Sequence, residues 1–302
     1  MDMTQNKCCR RGANLRRRRR RRRKILRSII FSCSIIAVAV FVAVGSSMIR
    51  SGDGRTNRYD VEAGNNTYDN AVIENSKISE KNKIQNNQSM LDDIMNSTQY
   101  PKQLKDLALK NEEALEFVYD YPAEHVKEHT IDLAEEASMD SVPLFVQWDK
   151  RWGCLAYGDD SNVAISGCGP TTLAMAVVAL TGNEEATPAA IAKFAMQEGY
   201  YMSGTGTMWS LMTEGAAAYG VRSEQINISQ IEIKQHLDQG DIVICSVRQG
   251  DFTTGGHFIL LYDYDDEGFS INDPFSLYRS GQKWDYGKIR SQIKAVWALK
   301  AK

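Results

Sequence analysis

The stretch AISGCGPTTLAMAVVAL, from Ala164 to Leu180, joins a glycine-flanked cysteine to an apolar helical segment. Gly167 and Gly169 permit a sharp turn around Cys168. A proline follows, which suits the first turn of a helix because its missing N–H would have no partner there. A thiol at a helix N-terminus faces unpaired N–H groups and the positive end of the helix dipole, and both favour the nucleophilic thiolate. Two interpretations of Cys168 remain, a nucleophile or a buried core thiol.

The region after residue 140 contains helical patterns first and strand patterns second. Helical spacing covers residues 169–180, 187–197, with Thr187 as a candidate cap, and 208–219. Apolar runs typical of strands follow at residues 241–247, 257–264, 269–273 and 294–299. This order favours an α+β fold in which helices pack against an antiparallel sheet.

A histidine at the start of a predicted strand is the candidate partner of the cysteine. Of the four histidines, His257 stands directly after two glycines, at the first position of the apolar run HFILLYDY. An imidazole at a strand end beside a permissive loop can act as general base toward a thiol. If the next strand returns through the turn DDEG, Asp273 lies near His257 and can orient its imidazole. The alternative is that Asp273 serves only an Asp-Pro turn.

Four motifs in order resemble the C39-like cysteine peptidases, a papain-like group: VPLFVQWDKRWG (142–153), SGCGPTTLAMAV (166–177), GGHFILLYDY (255–264) and NDPF (272–275). The resemblance covers about Val142 to Leu299. It implies a papain-like cysteine peptidase fold, a peptide or protein substrate, and no metal or organic cofactor.

The resemblance also implies roles for four residues. Cys168 would be the nucleophile, His257 the general base and Asp273 the orienting acid. Gln147 would be the oxyanion donor beside the backbone N–H of Cys168. In the leader-cleaving members the glutamine lies a few residues before the cysteine, whereas Gln147 lies 21 positions before Cys168. The chain has no P-loop motif, so the resemblance does not imply coupled peptide export or cleavage after a double glycine.

The N-terminal part of the chain has a different character. Its first 27 residues hold 13 of the 36 Lys and Arg residues and one of the 38 acidic residues, which leaves residues 28–302 with a net formal charge of −14. Residues 28–49 carry no formal charge and are long enough to cross a bilayer as a helix. The arginine run on their N-terminal side predicts a cytoplasmic N-terminus and an extracytoplasmic C-terminal domain. Its position favours this role over nucleic-acid binding.

The sequence divides further on composition. The alternative to an uncleaved signal anchor at 28–49 is a cleaved signal peptide, but the apolar run is too long and lacks an A-x-A-like site. Residues 50–98 are polar and predict a flexible stalk. We expect a basic cytoplasmic tip (1–27), a transmembrane signal anchor (28–49), the stalk (50–98), a helical pre-segment (99–140) and a C39-like peptidase domain (141–302).

The pre-segment has an apolar pattern typical of a helix. In the pre-segment, leucine and valine side chains recur at helical spacing from Pro101 and predict a helix ending near Pro122.

Cys154 and Cys245 either form one disulfide or remain two buried thiols, since no C-x-x-C pair exists. The stretch SGTGTMW (203–209) is a candidate wall of a substrate groove. The acidic body favours neutral or cationic substrates, although solubility explains it equally well.

Taken together, these patterns predict a single-pass cell-membrane protein of a bacterium that cleaves amide bonds by a Cys-His-Asp mechanism outside the membrane. Two other functions fit the same residues. The domain could bind a peptide or cell-wall ligand without cleaving it, or it could be an amidase or endopeptidase directed at peptidoglycan. A separate transporter and a cell-wall substrate are the candidate partners.

Overall fold

The computed structural model describes the backbone of residues 66–302 and the side chains of residues 79–302. The predicted basic tip and the predicted signal anchor at 28–49 lie outside these residues. Between residues 66 and 302, no helix has both the length and the hydropathy needed to cross a bilayer. Residues 90–302 form one compact unit, and residues 66–89 belong to another.

The α-helices of residues 66–302 are α1 (Asn66–Asn96), α2 (Lys102–Lys110), α3 (Leu115–Glu124), α4 (Ala134–Ser138), α5 (Val163–Ser166), α6 (Cys168–Thr181), α7 (Pro188–Gln197), α8 (Glu214–Ala218), α9 (Gln230–Gln239), α10 (Leu277–Ser280) and α11 (Tyr286–Arg290). Two 3-10 turns are formed by Glu112–Ala114 and Trp209–Met212.

The strands form two sheets. They are β1 (Tyr201–Met202), β2 (Gly206–Thr207), β3 (Val221–Ile226), β4 (Ile242–Val247), β5 (His257–Tyr264), β6 (Phe269–Asn272), β7 (Lys283–Trp284) and β8 (Ile293–Ala301). Strands β1 and β2 form a small hairpin, and the main sheet has the order β3-β8-β4-β5-β6-β7. Every pairing in the main sheet is antiparallel. The predicted α+β fold with an antiparallel sheet is therefore confirmed.

The sheet is buried on both faces because helices cover each side. In β4, Ile242 and Ile244 belong to a core cluster with residues of α6, whereas Val243 and Cys245 belong to a cluster with residues of α9. Such two-sided burial explains why β4 is a continuous apolar run rather than an alternating one. Helix α6 is almost entirely buried and ends at Gly182, whose φ of 69° is the left-handed conformation that glycine adopts readily.

Helix α1 differs from the flexible stalk that the composition predicts for residues 50–98. The helix runs from Asn66 to Asn96. No glycine or proline, the two residues that most disfavour a helix interior, interrupts this stretch. Its C-terminal part is also anchored, because Ile94 is fully buried in an apolar cluster. A polar composition therefore did not prevent a helix here.

The pre-segment is helical but contains a break. Instead of one helix to Pro122, α2 ends at Lys110, and Asn111 takes an extended conformation with φ −139° and ψ 97°. The Asn111 side chain accepts a hydrogen bond from the N–H of Glu113, which starts a new turn before α3. The side chains grouped by the helical spacing are all buried: Leu104, Leu107, Leu115 and Val118.

Residues 208–219, predicted as one helix, form the 3-10 turn Trp209–Met212 followed by the short helix α8. Thr213 separates them with φ −110° and ψ −82°, which no continuous helix contains. By contrast, Thr187 caps α7 as predicted, since its hydroxyl accepts from the Ala190 N–H at 3.0 Å. The hairpin of β5 and β6 is also present, with Leu261 opposite Ile271.

Candidate active site

Cys168 is the first residue of α6, as the flanking glycines suggest. A Cβ atom on Gly169 would lie 2.6–2.8 Å from side-chain atoms of Thr207, so only glycine fits there. The helix is tied to β5 by the Thr172 hydroxyl, which donates to the carbonyl of Phe258 at 3.3 Å. The tight approach sets the start of α6 against β2, and the hydrogen bond sets it against the start of β5.

His257 is the first residue of β5, and its side chain is only 6% exposed. Its Nε2 atom lies 2.7 Å from Oδ1 of Asp273, which is fully buried. Cys168 lies close enough to the same imidazole to contribute to its raised pKa. Because Nε2 faces the carboxylate, Nδ1 is the ring nitrogen left for the sulphur.

The electrostatics of the pair favour the charged imidazolium. Burial opposes charge on His257, but the charge and hydrogen bond of Asp273, followed by the contact with Cys168, raise its pKa to about 10. Burial likewise opposes ionisation of Asp273. His257, Arg279 and the N–H of Phe275 outweigh that effect and hold the pKa of Asp273 below its usual value.

Arg279 is a site residue that the sequence did not reveal. It lies on α10 and donates from Nε to Oδ2 of Asp273 at 2.5 Å. Oδ1 also accepts from the Phe275 N–H at 2.8 Å, and the Asp273 N–H donates to the Ser280 hydroxyl at 2.8 Å. The one available signal was an arginine within two turns of a buried acid, and a buried carboxylate needs such partners.

Gln147 lines the same cleft as Cys168 despite its separation in sequence. Its side chain is 1% exposed, and its amide Nε2 donates to the carbonyl of Ala164 at 2.6 Å. Its backbone N–H donates to the carbonyl of Pro274 at 2.7 Å, next to Asp273. One Nε2 hydrogen remains for another acceptor, since a primary amide has two. The structure thus brings the four predicted site residues together.

Two clefts meet at the cysteine and the histidine. The first cleft, of about 380 Å³, includes Gln147 and Phe275, and the second, of about 630 Å³, includes residues 205–210. Both clefts are lined by the same four residues at their junction: Ile165, Cys168, Gly256 and His257. An extended ligand lying in both would cross the sulphur. The stretch SGTGTMW lines the second cleft from Thr205 to Trp209, as predicted for a groove wall.

The other two cysteines of the described residues, Cys154 and Cys245, line neither cleft. Cys154, Cys168 and Cys245 are all free thiols, so the disulfide alternative does not form. Burial raises the pKa of Cys154 to about 11 and that of Cys245 to about 12. Both of these thiols therefore stay protonated at neutral pH, and neither lines a cleft with His257.

Comparison with known proteins agrees with this geometry. Residues 139–302, more than half of the chain, match the model of the Peptidase_C39 like family. The chain belongs to the C39-like peptidase family. This membership confirms the family that the four sequence motifs predict, and the match includes every residue of the C39-like site described above.

Comparisons with individual proteins give less information than the family match. No curated protein is significantly similar to the chain. A crystal structure of a proposed C39-like peptidase from Bacillus anthracis shares 18% sequence identity with it. That similarity covers 57% of this chain and 98% of the other, with a TM-score of 0.34.

Proposed function

We propose that this C39-like protein is a cysteine peptidase in which Cys168 is the nucleophile, His257 the general acid and base, and Asp273 the orienting carboxylate. The observation that carries the proposal is the buried 2.7 Å hydrogen bond between His257 and Asp273 at the junction of the two clefts, where Cys168 also lies. A thiol beside an imidazolium is favoured as thiolate, which is the form that attacks carbonyl carbon.

The first half of the reaction forms an acyl-enzyme. The Cys168 sulphur attacks the amide carbonyl carbon, and the C–S bond forms as the carbonyl electrons move to oxygen. The backbone N–H of Cys168 and the free Nε2 hydrogen of Gln147 would stabilise that oxyanion. His257 then donates its Nδ1 proton to the leaving nitrogen, the C–N bond breaks, and a thioester remains on Cys168.

The second half of the reaction returns the enzyme to its starting state. Neutral His257 accepts a proton from water at Nδ1 while the water oxygen attacks the thioester carbonyl. The C–S bond breaks as the carbonyl re-forms, and the product leaves as a carboxylic acid that loses its proton to solvent, which restores a thiolate beside an imidazolium. Throughout, Asp273 holds Nε2–H and keeps Nδ1 directed at the sulphur.

A proteome-derived peptide library tests the activity. The full-length chain is incubated with the library, and new termini are identified by mass spectrometry. Wild-type protein should generate products, and Cys168→Ala should reduce their rate by at least ~10³-fold. Cys154→Ala is the matched control, because it removes a thiol outside both clefts. Equal product formation by Cys168→Ala and wild type would rule out the mechanism.

The same assay separates the other two functions. If peptides bind but no product forms with wild-type protein, the domain is a binding module. If the peptide library is inert but purified peptidoglycan fragments are cleaved in a Cys168-dependent manner, the substrate is the cell wall. The first outcome would remove the catalytic role, and the second would keep it and change the substrate class.

We further propose that residues 28–49 anchor the protein in the cell membrane with the catalytic domain outside. The support is the uncharged length of this segment and the arginine run before it. Protease added to intact protoplasts should digest residues 51–302 and leave a tag before residue 1 protected. Digestion of the tag, or protection of the whole chain, would contradict this topology.

A further inference from the structure

The pre-segment, residues 99–140, holds the part of the chain that carries Asp273. We call residues 273–280 the Asp273 loop. The carboxylate of Glu113 accepts from the Ser276 hydroxyl at 2.5 Å and from the Leu277 N–H at 2.6 Å. The Tyr278 N–H lies 3.3–3.4 Å from the two Glu113 oxygens. A single pre-segment carboxylate thus satisfies several polar groups in the middle of the loop.

A second pre-segment residue holds the same loop nearer to Asp273. The side-chain amide of Asn111, which is 7% exposed, donates from Nδ2 to the Phe275 carbonyl at 2.8 Å. The other end of that amide accepts from the Glu113 N–H at 3.0 Å, so the two residues support each other. Phe275 lies two residues from Asp273 and itself donates to its Oδ1. Asn111 and Glu113 therefore act on the orienting carboxylate through its own loop.

Apolar packing joins the pre-segment to the site as firmly as these hydrogen bonds. The buried cluster of the pre-segment includes Ala164, with Ile165 and Phe275 packed against it. Ile165 and Phe275 also line the first cleft. On Gly153, a Cβ atom would lie 2.7 Å from the ring of Phe117, so the domain leaves room for a pre-segment side chain there.

One pre-segment side chain reaches the first cleft itself. Lys110, at the end of α2, lines it together with Cys168 and His257. Two other charged residues of the lining already have partners, although the Nη2 atom of Arg279 is buried without one. Arg279 donates to Asp273, and the Asp251 carboxylate accepts from the Gln292 amide at 2.7 Å. Lys110 is exposed and forms no ion pair among the described side chains, although its charge interacts with that of Asp106 on the same helix, so its ammonium can contact an anionic ligand group in the cleft.

We propose that the pre-segment is an integral wall of the active site, in which Asn111 and Glu113 are positioning residues for the Asp273 loop and Lys110 favours substrates with a carboxylate beside the scissile bond. The substrate preference rests on the proposed function; the positioning does not. Residues 99–138 precede the family match, which starts at residue 139, so the wall is a feature of this chain outside the matched domain.

Alkylation of Cys168 tests the role of Lys110 without requiring any substrate. Iodoacetate carries a carboxylate and iodoacetamide does not, so the ratio of their rates at Cys168 reports the local charge. In the full-length chain, Lys110→Glu should lower this ratio about 3- to 10-fold. Lys102→Glu is the matched control, since Lys102 lies on the same helix, pairs with Asp106 and lines neither cleft. An unchanged ratio in Lys110→Glu would overturn this part of the proposal.

Cleavage of the proteome-derived peptide library then tests the substrate preference. Wild-type products should be enriched in Asp or Glu at one position on a fixed side of the cut. Lys110→Glu should replace this enrichment with Lys or Arg, whereas Lys102→Glu should retain it. If wild-type protein yields no product at all, the proposed function fails. The alkylation ratio would still test whether the charge of Lys110 acts at Cys168. Products without any acidic enrichment would overturn the preference.

Glu113→Gln tests positioning, because it keeps the shape of the side chain and removes its charge. We expect kcat to fall about 10-fold with KM nearly unchanged, and the alkaline limb of the kcat profile to move to lower pH as Asp273 loosens its hold on His257. Iodoacetamide alkylation of Cys168 at pH 6 should slow several-fold as well, a readout independent of peptidase activity. A merely structural role would reduce the active fraction without moving the alkaline limb.

Two further variants complete the positioning test. Glu116→Gln is the control, since its side chain is 78% exposed, lies in the same segment and faces Lys150 rather than the loop. It should behave as wild type. Asn111→Ala removes the Phe275 bond independently of Glu113 and should give the same direction of change. The positioning role would be overturned if Glu113→Gln and Asn111→Ala both kept the alkaline limb and the Cys168 alkylation rate of the wild-type protein.

Discussion

Arg279 and His257 bind opposite oxygens of one carboxylate: the arginine Nε donates to Oδ2 of Asp273 at 2.5 Å, and the histidine Nε2 lies 2.7 Å from Oδ1. The fully buried carboxylate is thus shared by two cationic partners. If one of the three residues is removed, the other two keep a buried charge without its partner, or a side chain is no longer held in its orientation. Each substitution therefore has a distinct expected effect.

Arg279→Ala should lower kcat/KM about 10- to 100-fold and move the acid limb of its pH profile to higher pH. Arg279 helps to depress the pKa of Asp273, so without it the carboxylate gains a proton at a higher pH. Arg279→Lys should recover part of the loss, because it restores the charge without the planar geometry. An acid limb that stays in place in Arg279→Ala would contradict this role.

At pH 6, iodoacetamide should label Cys168 before Cys154 and Cys245, because burial raises the pKa of those two thiols to about 11 and about 12. His257→Ala should slow labelling of Cys168 about 10-fold or more, since it removes the imidazolium that favours the thiolate. Peptide mapping after short exposure measures all three sites in one sample. Equal labelling of Cys168 with and without His257 would show that no ion pair exists.

Stability should fall as pH rises through the range in which His257 titrates. Its pKa is raised from 6.5 to about 10 in the folded protein, so the protein gains stability from the charged form. That gain is fully present below about pH 6.5 and is lost progressively as pH approaches 10. Thermal unfolding from pH 6 to 10 should therefore show a steeper decline for wild type than for His257→Gln, which cannot titrate. Parallel declines would contradict the shift.

Gln147→Ala should reduce kcat about 10²- to 10³-fold with little change in KM, if its amide stabilises the oxyanion. Gln147→Glu provides the matched comparison, because it keeps the volume but loses the donor. It should be at least as impaired as Gln147→Ala. Wild-type kcat in either variant, with Cys168 still required, would transfer the oxyanion role to other donors.

Gly169→Ala should impair folding and activity, because its Cβ atom would lie 2.6–2.8 Å from Thr207. Overpacking of this kind costs about 1–3 kcal/mol. Chemical denaturation measures that cost. Gly255→Ala is the control, since the added methyl group would have no atom within 4 Å and the φ of Gly255 is not positive. Thr207→Gly should restore part of the stability in the double variant, and failure to do so would place the clash elsewhere.

Much of the fold and the site was predictable from local patterns. The positions of α6, α7, β4, β5 and β6 follow from apolar runs bounded by glycines, turn residues and, for α7, the Thr187 cap, all of which act within a few residues. The hairpin that brings Asp273 near His257 also follows from a local signal, the turn sequence DDEG between its two strands. The break at Asn111 and the helix α1 were not predictable. The first depends on a distant carbonyl partner at Phe275, and the second is stabilised in part by burial of Ile94.

The sequence by itself determined the family, the α+β class and the three residues of the proposed mechanism, because glycine conformation, helix starts and strand ends are short-range properties. Only the tertiary structure decided which distant residues complete the site. Glu113 meets Leu277 and Asn111 meets Phe275, each across 164 positions of sequence. Contacts of this kind form when separate elements pack together, so the spacing of residues along the chain does not predict them.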